Sequence, residues 1–504
     1  MPEDARDQQM AEQTMTDQAA PLGTAAVPED GTKARRHKDS RRIAGVALAL
    51  TDLIMLQILL AIALGLRLAL ADLLPVIITT EIYRGVAIAL MLMPLAWLAA
   101  GLYPGDGLPA PDRLRRRSLT TVIGFLLLAS WDYVLQGHEW SRGLAAIAWL
   151  LALVVLPITE ALMIGRLIRA GRWGRKVALY GSGHAVRDLS VRLRSDPALG
   201  FIPAVRLEDQ ASSVTGTDAG DDAGLPQMTV ARARAQGIDT AIVCLAPSAL
   251  DQAPALTWSL DFPRVLLRLE VDGLPSLSTR TRELGGRIGI EISRGMLEPR
   301  KRHTKRVLDH IIAVLALIPA LPIIGLAALA VKIADPGPAF FVQERGGKSG
   351  RTIRVLKLRT MYRDADARLA AHLEADPAAA EEWRRFYKLK RDPRVLPVVG
   401  DILRRTSMDE LPQLLNVLTG EMSVVGPRPF PAYHLAAFDE PFRRLRGSVR
   451  PGITGLWQVS VRSDGDLDAQ QALDSFYIRN WSVWLDLVIL GRTVGAVVRG
   501  GGAR

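Results

Sequence analysis

Residues 406–429 read TSMDELPQLLNVLTGEMSVVGPRP, a segment that combines an adjacent pair of acids, a helix pattern and an arginine between two prolines. Leucines recur at helical spacing after the acids, at Leu411, Leu414, Leu415 and Leu418. We expect Asp409 or Ser407 to cap this short helix and Gly420 to end it. The acids would then lie at a helix entrance, where free amides and the helix dipole favour a phosphate. On the residues alone, a capping box from Ser407 to Glu410 that only starts the helix is an equally good interpretation.

The composition indicates a membrane protein with several domains. The chain has 504 residues, 49% of them hydrophobic, and a positive mean hydropathy of +0.15. Its net charge of +11 fits an anionic membrane surface or a phosphate-rich substrate. Nucleic acid is not an expected partner, because the basic residues adjoin apolar spans and form no aromatic-studded patch. The single cysteine, Cys244, excludes a disulfide framework and a thiolate metal site.

The N-terminal third of the chain predicts a tail followed by a helical membrane bundle. Residues 1–42 are polar and end in a basic run, so we expect a disordered cytosolic tail. Four apolar spans follow within residues 43–170, at about 43–66, 86–102, 119–135 and 144–164. Lys and Arg crowd the tail, the second loop and the exit from the fourth span. By the positive-inside rule, the N terminus and everything after the fourth span therefore lie in the cytosol.

Residues 171–295 change to an α/β pattern. Four strand-like runs, VALYGSG, FIPAVRL, DTAIVCLA and VLLRLEV, alternate with helical or loop stretches, which predicts a small Rossmann-like domain. Its first turn offers Gly181 and Gly183 but lacks the third glycine of the dinucleotide fingerprint. This favours a structural or regulatory domain over a working cofactor site. Because no ligand is evident for it, a homodimer is left open.

A fifth apolar segment, residues 307–333, contains Pro319 and Pro322 in its middle, where a kink is expected. Basic residues flank both of its ends, so both ends favour the cytosol. This predicts a re-entrant helix that enters the membrane and returns. The alternative is a fifth full crossing, which would place the basic C-terminal block outside the cell, away from nucleotide sugars.

Five spaced motifs in the last 200 or so residues carry a family resemblance. They are the DELPQLLNVLTGEMSVVGPRP block, KRVLDHIIAVLALIPALPII from Lys305, DPGPAFFVQERGGKSG from Asp335, VLKLRTM from Val355 and RPGITGLWQV from Arg450. Residues 300–504 thereby resemble the bacterial polyprenyl-phosphate hexose-1-phosphate transferases, the monotopic phosphoglycosyl transferases, in their long form. The ending is most similar to the undecaprenyl-phosphate galactose phosphotransferase branch. The resemblance implies a C-terminal α/β catalytic domain whose re-entrant helix breaks at Pro322.

The resemblance also assigns roles to the acids. It implies that Asp409 is the nucleophile towards phosphorus and that Glu410 is its catalytic partner, placed to bind a divalent ion. Mg²⁺ fits, because it takes a carboxylate together with substrate phosphate oxygens. Asp474 matches a family acid near the site and is the second expected Mg²⁺ ligand.

Six further residues are expected to bind the substrate or its phosphates: Lys357, Arg359, Arg404, Arg428, Arg450 and Thr454. Arg404 and Arg428 align with family arginines that handle phosphate, and both suit bidentate contacts. Lys357 and Arg359 alternate with apolar residues, which predicts that both charges share one face of a strand. The resemblance makes that face a wall of the site, although a solvated basic strand is the alternative.

The implied function is transfer of hexose-1-phosphate from UDP-galactose or UDP-glucose to undecaprenyl phosphate, at the cytosolic face of the bacterial inner membrane. A membrane-anchored nucleotide-sugar dehydratase would also join several spans to a Rossmann-type domain. It needs a Tyr-x-x-x-Lys pair, and none of the eight tyrosines has Lys four residues on. A non-enzymatic membrane nucleotide sensor is the third interpretation, and it leaves the acid pair and the arginines unexplained.

Overall fold

The computed structural model describes residues 30–72, 80–135, 142–207, 224–253, 260–271, 279–284, 287–292, 298–386, 389, 392–460 and 467–498. Contacts divide the chain into two compact units, residues 1–108 with 119–270 and residues 109–118 with 271–504. The first helix begins at Asp30, inside the predicted tail, and residues 1–29 of that tail lie outside the described residues. The division after Glu270 also places residues 271–295, predicted to belong to the α/β domain, with the second unit.

Five helices form the apolar part of the first unit: α1 (Asp30–Ala69), α2 (Thr80–Leu90), α3 (Met93–Ala99), α4 (Ala110–Leu135, whose first residues belong to the second unit) and α5 (Arg142–Arg169). Leucine and alanine side chains of α1 and α5 share one buried cluster, which includes Leu60, Ala63, Ala148 and Ala152. Small alanines on a helix face let two backbones approach closely.

Three helical segments of the described chain are long and apolar enough to cross a membrane: Ser40–Ala69, Arg142–Arg169 and Arg300–Ala334. The first two match the first and fourth predicted spans. The second predicted span is divided between α2 and α3, with Pro94 in the first turn of α3, where its missing N–H is tolerated. The third lies in α4, which begins with the charged run PDRLRRR and is not among the three segments.

The second part of the first unit is an α/β domain with a parallel sheet, as predicted. Its strands are β1 (Arg175–Tyr180), β2 (Phe201–Leu207), β3 (Gln227–Met228), β4 (Thr240–Leu245) and β5 (Arg264–Leu269), in the order β3-β2-β1-β4-β5. Helices α6 (Gly183–Ser195) and α7 (Val230–Ala235) belong to this domain. Gly181 has a φ of 143°, and a Cβ there would lie 2.9 Å from the Cys244 carbonyl oxygen. Close packing of strand ends therefore explains this glycine without a ligand.

Asp106 joins the loop after α3 to the α/β domain. Its carboxylate accepts hydrogen bonds from Arg41 Nη2 at 2.9 Å and from Arg175 Nε at 2.6 Å. Burial raises the pKa of Asp106, but the two arginines outweigh it and lower the pKa below its usual value. The neighbouring Gly107 N–H donates to the Leu199 carbonyl at 2.7 Å. These contacts connect α1, the loop and β1 within one unit.

The second unit contains two antiparallel hairpins, a pair of short parallel strands and the long helix α8 (Pro299–Ala334). The hairpins are β6 (Thr279–Leu284) with β7 (Arg287–Ile292), and β8 (Phe340–Gly346) with β9 (Thr352–Leu358), while β10 (Ser423–Val425) pairs with β11 (Gly452–Thr454). The other helices are α9 (Ala365–Ala375), α10 (Pro377–Phe386), α11 (Val399–Arg405), α12 (Gln413–Thr419), α13 (Ala432–Ala436), α14 (Glu440–Gly447), α15 (Leu456–Ser460), α16 (Leu467–Arg479) and α17 (Val483–Val498).

Helix α8 is continuous over 36 residues and contains both Pro319 and Pro322. The predicted break at Pro322 therefore does not appear as an interruption of the helix. Both ends of α8 bond to the same unit. Near its start, Arg306 Nη1 donates to the Val417 carbonyl at 3.0 Å, and directly after its end Asp335 pairs with Arg359.

Helix α12 begins later than the sequence predicted. Ser407 has left-handed backbone angles (φ 56°), and Met408–Glu410 form a single 3₁₀ turn before α12 starts at Gln413. Neither Ser407 nor Asp409 caps the helix through its side chain, so the capping interpretation is wrong. Leu415, expected on the apolar face, is 42% exposed. The end of the helix at Gly420 is confirmed, with a φ of 91°.

Candidate active site

The acid pair occupies a turn whose backbone is fixed from both sides. The Ser407 N–H donates to the Arg404 carbonyl at 3.1 Å, and the Leu411 N–H donates to the Met408 carbonyl at 3.2 Å. A serine in the left-handed region costs about 1–2 kcal/mol, because its Cβ crowds the next carbonyl. The strained residue turns the chain sharply between α11 and α12 and leaves both carboxylates in the 3₁₀ turn, outside the two α-helices.

Glu410 is held by two cations from different parts of the second unit. Its Oε1 accepts from Lys357 Nζ at 2.8 Å and from Arg428 Nη2 at 3.2 Å. Burial alone would raise the pKa of Glu410, but Arg428 and Lys357 outweigh it, with a further contribution from Arg345, and the pKa is about 2. Glu410 is therefore an ionised carboxylate at every physiological pH.

Asp409, next to it, has the opposite shift. Burial raises the pKa of Asp409, and the neighbouring charge of Glu410 adds to the rise, while Lys357 and Arg404 only partly oppose it. Two adjacent carboxylates are thus pushed apart in basicity, a pattern that assigns them different chemical roles. The more basic oxygen atoms, those of Asp409, are the better nucleophile of the pair.

A narrow cleft of about 20 Å³ lies beside Glu410, lined by Arg345, Val355, Lys357, Glu410, Gln413, Arg428, Pro429 and Ile453. Three cations surround a single carboxylate in this lining, which leaves an excess of positive charge. Arg345 was not among the site residues predicted from the sequence. Its position before the β8–β9 turn, beside the predicted Lys357 strand, was the available signal. Such a cleft is suited to a substrate with several phosphate charges.

Asn416, on the buried face of α12, fixes the strand that carries Lys357. Its Nδ2 donates to the Arg354 carbonyl at 2.8 Å, and its Oδ1 accepts from the Leu356 N–H at 3.0 Å. These bonds tie β9 to α12, directly after the acid pair. Asn416 was not among the residues predicted from the sequence, although a polar side chain within the leucine pattern was its signal.

The VGPRP segment, residues 425–429, is held by a close contact between two glycines. A Cβ on Gly426 would lie 2.7 Å from the Arg450 carbonyl oxygen, and one on Gly452 would lie 2.1 Å from the Gly426 nitrogen. Only glycine permits β10 and β11 to approach this closely at the point where Arg428 leaves the sheet.

A buried polar network holds β10, the strand that leads into the VGPRP segment. Lys305 Nζ lies 3.0 Å from Asp309 Oδ1 and 2.8 Å from Asp486 Oδ2, and it also donates to the Val425 carbonyl at 3.0 Å. Tyr477 donates to Asp486 at 2.9 Å. Since buried charges are costly unless paired and hydrogen-bonded, this network fixes α8, β10 and α17 in one arrangement.

The structure brings together five of the residues predicted from the sequence: Asp409, Glu410, Lys357, Arg404 and Arg428. Arg404 influences Asp409 electrostatically, while its Nε donates to Thr360 Oγ1 at 3.0 Å. Lys357, Glu410 and Arg428 line the cleft itself.

The other predicted residues lie outside the cleft lining. Arg359 is buried and bonds to the side chain and carbonyl of Asp335, so the expectation that it shares one site wall with Lys357 is wrong. Arg450 Nε donates to the Gly420 carbonyl at 2.7 Å, and Thr454 bonds to Thr493 at 2.8 Å. Arg450 therefore ties the start of β11 to the end of α12, and Thr454 ties β11 to α17.

No group of three or more His, Cys, Asp or Glu side chains within the described ranges could hold a metal ion by itself. Asp409 and Glu410 nevertheless offer adjacent carboxylate oxygens, the hard donors that Mg²⁺ prefers. Mg²⁺ commonly completes its shell with substrate phosphates and water, so this donor pair fits a substrate-dependent ion. Asp474, the other predicted ligand, pairs instead with Arg446 at 3.3 Å.

Comparison with known proteins identifies the family to which the chain is similar. The bacterial sugar transferase model matches residues 300–500, and a CoA-binding domain model matches residues 100–260. An exopolysaccharide production protein, ExoY, of Sinorhizobium fredii is 45% identical over 203 residues, which cover 40% of this chain and 89% of that protein.

Two longer relatives extend the match into the N-terminal half. The undecaprenyl-phosphate galactose phosphotransferase of Salmonella typhimurium is 32% identical over 72% of this chain and 77% of its own length. The undecaprenyl-phosphate glucose phosphotransferase of Komagataeibacter xylinus is 33% identical over 73% of this chain and 67% of its own length. With its acid pair, basic cleft and matching domain order, the chain belongs to the bacterial sugar transferase family.

Proposed function

We propose that this protein transfers hexose-1-phosphate from a UDP-hexose to undecaprenyl phosphate, giving undecaprenyl-diphosphate-hexose and UMP. The observation that carries the proposal is the cleft in which Lys357 and Arg428 hold Glu410 ionised beside the more basic Asp409. The names of the two longer relatives support the lipid acceptor, and they support galactose or glucose as the sugar. The product would start synthesis of an exopolysaccharide, capsule or O-antigen.

The reaction takes two steps at one phosphorus atom. In the first, a carboxylate oxygen of Asp409 attacks the sugar-bearing phosphorus, and the bond from that phosphorus to the bridging oxygen breaks. UMP leaves with that oxygen and its electron pair, and Asp409 becomes an acyl phosphate that carries the sugar. In the second, an oxygen of undecaprenyl phosphate attacks the same phosphorus and the Asp409 carboxylate leaves. Neither step needs an oxidant or a further co-substrate.

The cations of the cleft supply most of the stabilisation in this scheme. Lys357, Arg428 and Arg345 neutralise the diphosphate and the charge that develops on the departing UMP. Glu410 keeps the first two aligned before substrate binds, so little reorganisation is needed during the reaction. The higher pKa of Asp409 makes it the stronger nucleophile of the acid pair.

Mg²⁺ would be held by Glu410 together with substrate phosphate oxygens and water. When bound, it would add positive charge at the phosphates and so favour the departure of UMP.

We further propose that the protein lies in the bacterial inner membrane with this unit on the cytosolic face and that α8 is re-entrant. Arg306 near the start of α8 and Asp335 after its end contact the same unit. A full crossing would separate the two ends by roughly 30 Å of hydrocarbon. The exposed apolar side chains of α8, among them Leu326 and Ile333, provide the surface that enters the lipid.

The test is UMP release by the full-length protein in membranes, with Mg²⁺, undecaprenyl phosphate and a panel of UDP-sugars. Asp409→Asn should abolish release, because the amide cannot act as the nucleophile. Asp401→Asn removes an exposed acid of α11 outside the cleft and is the matched control, expected to keep wild-type activity. A UDP-hexose labelled in its sugar-bearing phosphate should label wild type, but not Asp409→Asn, when the acceptor is omitted. Normal turnover by Asp409→Asn would refute the mechanism, and a wild type inactive towards every donor would refute the function.

A further inference from the structure

A buried ion pair lies behind the VGPRP segment. Arg446 of α14 and Asp474 of α16 are only 8% and 3% exposed, and Arg446 Nε lies 3.3 Å from Asp474 Oδ2. The Arg446 guanidinium stacks on the Phe430 ring, with Cζ 4.0 Å from the ring centre. Its Nη2 donates to the main-chain carbonyl of Arg428. One arginine thus contacts Arg428 of the VGPRP segment and Phe430 directly after that segment.

This pair is costly to bury. Burial raises the pKa of Asp474 to about 6 although Arg446 opposes the shift, and burial lowers the pKa of Arg446 to about 10 although Asp474 opposes that shift. In both cases the partner offsets only part of the desolvation. A buried ion pair is weak evidence for stability, since apolar residues of similar volume often serve as well or better. A role in geometry explains why charges occupy this position.

We propose that Asp474 and Arg446 are positioning residues that hold the Arg428 main chain so that its guanidinium reaches Glu410. The inference rests on the proposed function. The Arg428 side chain is 40% exposed, so packing alone does not fix it, whereas its carbonyl is anchored by Arg446. Asp474 in turn orients Arg446 and balances its charge. The path from Asp474 to the catalytic acid therefore passes through Arg446 and Arg428.

The contacts favour this role for Asp474 over that of a Mg²⁺ ligand. Asp474 is 3% exposed and its Oδ2 lies 3.3 Å from Arg446 Nε, so it is not open to the substrate phosphates with which Mg²⁺ would be shared. Neither Asp474 nor Arg446 is part of the cleft lining, in which Glu410 and Arg428 both lie. The two roles predict different kinetics, since loss of a ligand raises the Mg²⁺ requirement whereas loss of a positioning residue does not.

The first experiment measures UMP release by the full-length protein as a function of UDP-hexose and Mg²⁺ for Asp474→Asn. We expect kcat/KM for UDP-hexose to fall by about tenfold, the scale of one charge-assisted contact, with an unchanged half-saturating Mg²⁺ concentration. When Asp474→Asn is introduced into the Arg428→Lys variant, it should lower kcat/KM by less than about twofold, because the contact from Arg428 to Glu410 is already lost. Asp468→Asn, an exposed acid of the same helix, is the matched control. A tenfold higher Mg²⁺ requirement, or losses that multiply across the two sites, would overturn the proposal.

A second variant separates positioning from folding. Replacing both partners, as Arg446→Met with Asp474→Leu, keeps the volume and removes both buried charges, so the protein should fold. If the pair positions Arg428, this folded variant should still release UMP more slowly than wild type. Full activity would refute the proposal. Hydrogen exchange of residues 424–432 gives a readout that does not need activity, and Asp474→Asn should speed it while Asp468→Asn should not. If wild type releases no UMP, the proposed transferase function is refuted. Independently of that result, unchanged hydrogen exchange in Asp474→Asn would refute the positioning role.

Discussion

Lys357→Met tests whether the cation that holds Glu410 also serves the substrate. The ammonium lies 2.8 Å from Glu410 Oε1, and the two side chains are 20% and 17% exposed. At an effective dielectric of about 20, a charge pair at that distance attracts with about 6 kcal/mol before desolvation is counted. The net worth of one hydrogen bond to a charged group is about 1.5–3 kcal/mol.

If the same contact is made to a substrate phosphate, its loss lowers kcat/KM for UDP-hexose by roughly tenfold to hundredfold. Methionine keeps the unbranched shape, and Glu410 keeps Arg428 as a partner, so the fold should survive. The assay is UMP release over a range of UDP-hexose concentrations, together with thermal denaturation of both proteins.

Arg354→Met is the matched control. Arg354 is exposed and lies three residues earlier on the same strand, where its side chain points to the opposite face of β9. It removes one positive charge without touching the cleft, and we expect activity within about twofold of wild type. Equal activities for the two variants would refute the electrostatic reasoning. A large fall in melting temperature for Lys357→Met alone would show that the lysine serves the fold.

Two further predictions concern the framework. Asp106→Asn should destabilise the protein at neutral pH by about 1–3 kcal/mol. Because the pKa of Asp106 is lowered in the fold, the stability that its carboxylate contributes is present above the unfolded pKa and disappears as the pH falls through the folded pKa. The difference in melting temperature between the variant and wild type should therefore shrink on acidification, and a constant difference would contradict the prediction. Gly426→Ala places a Cβ 2.7 Å from the Arg450 carbonyl oxygen and should cost both stability and activity, whereas Gly491→Ala, with nothing within 4 Å of its Cβ, should be neutral or slightly stabilising in the same denaturation assay.

Local patterns predicted several elements correctly. The four strand-like runs after residue 171 became β1, β2, β4 and β5, because burial on both faces of a parallel sheet requires continuous apolar runs. The end of α12 at Gly420 followed from the ability of glycine to adopt a left-handed conformation. The start of the same helix was missed, because the left-handed Ser407 is set by its surroundings and has no signal in a leucine pattern.

Side-chain partners were the harder part. Lys357 and Arg359 look equivalent in VLKLRTM, yet one reaches Glu410 and the other Asp335. Which acid lies opposite each cation depends on how β9 packs against the turn of Glu410 and the end of α8. Arg345 was overlooked for the same reason, since its approach to the cleft depends on the β8–β9 pairing.

Composition, periodicity and motif spacing along the chain were enough to predict the domain order, the apolar segments, the parallel sheet, the family and the acid pair of its central motif. Three features depended on the fold: the difference in basicity between Glu410 and Asp409, the pairing of Arg359 and Asp474 with Asp335 and Arg446, and the place of Arg345 in the cleft. Charge interactions and desolvation depend on distance and burial in space, and residues far apart in the chain set both.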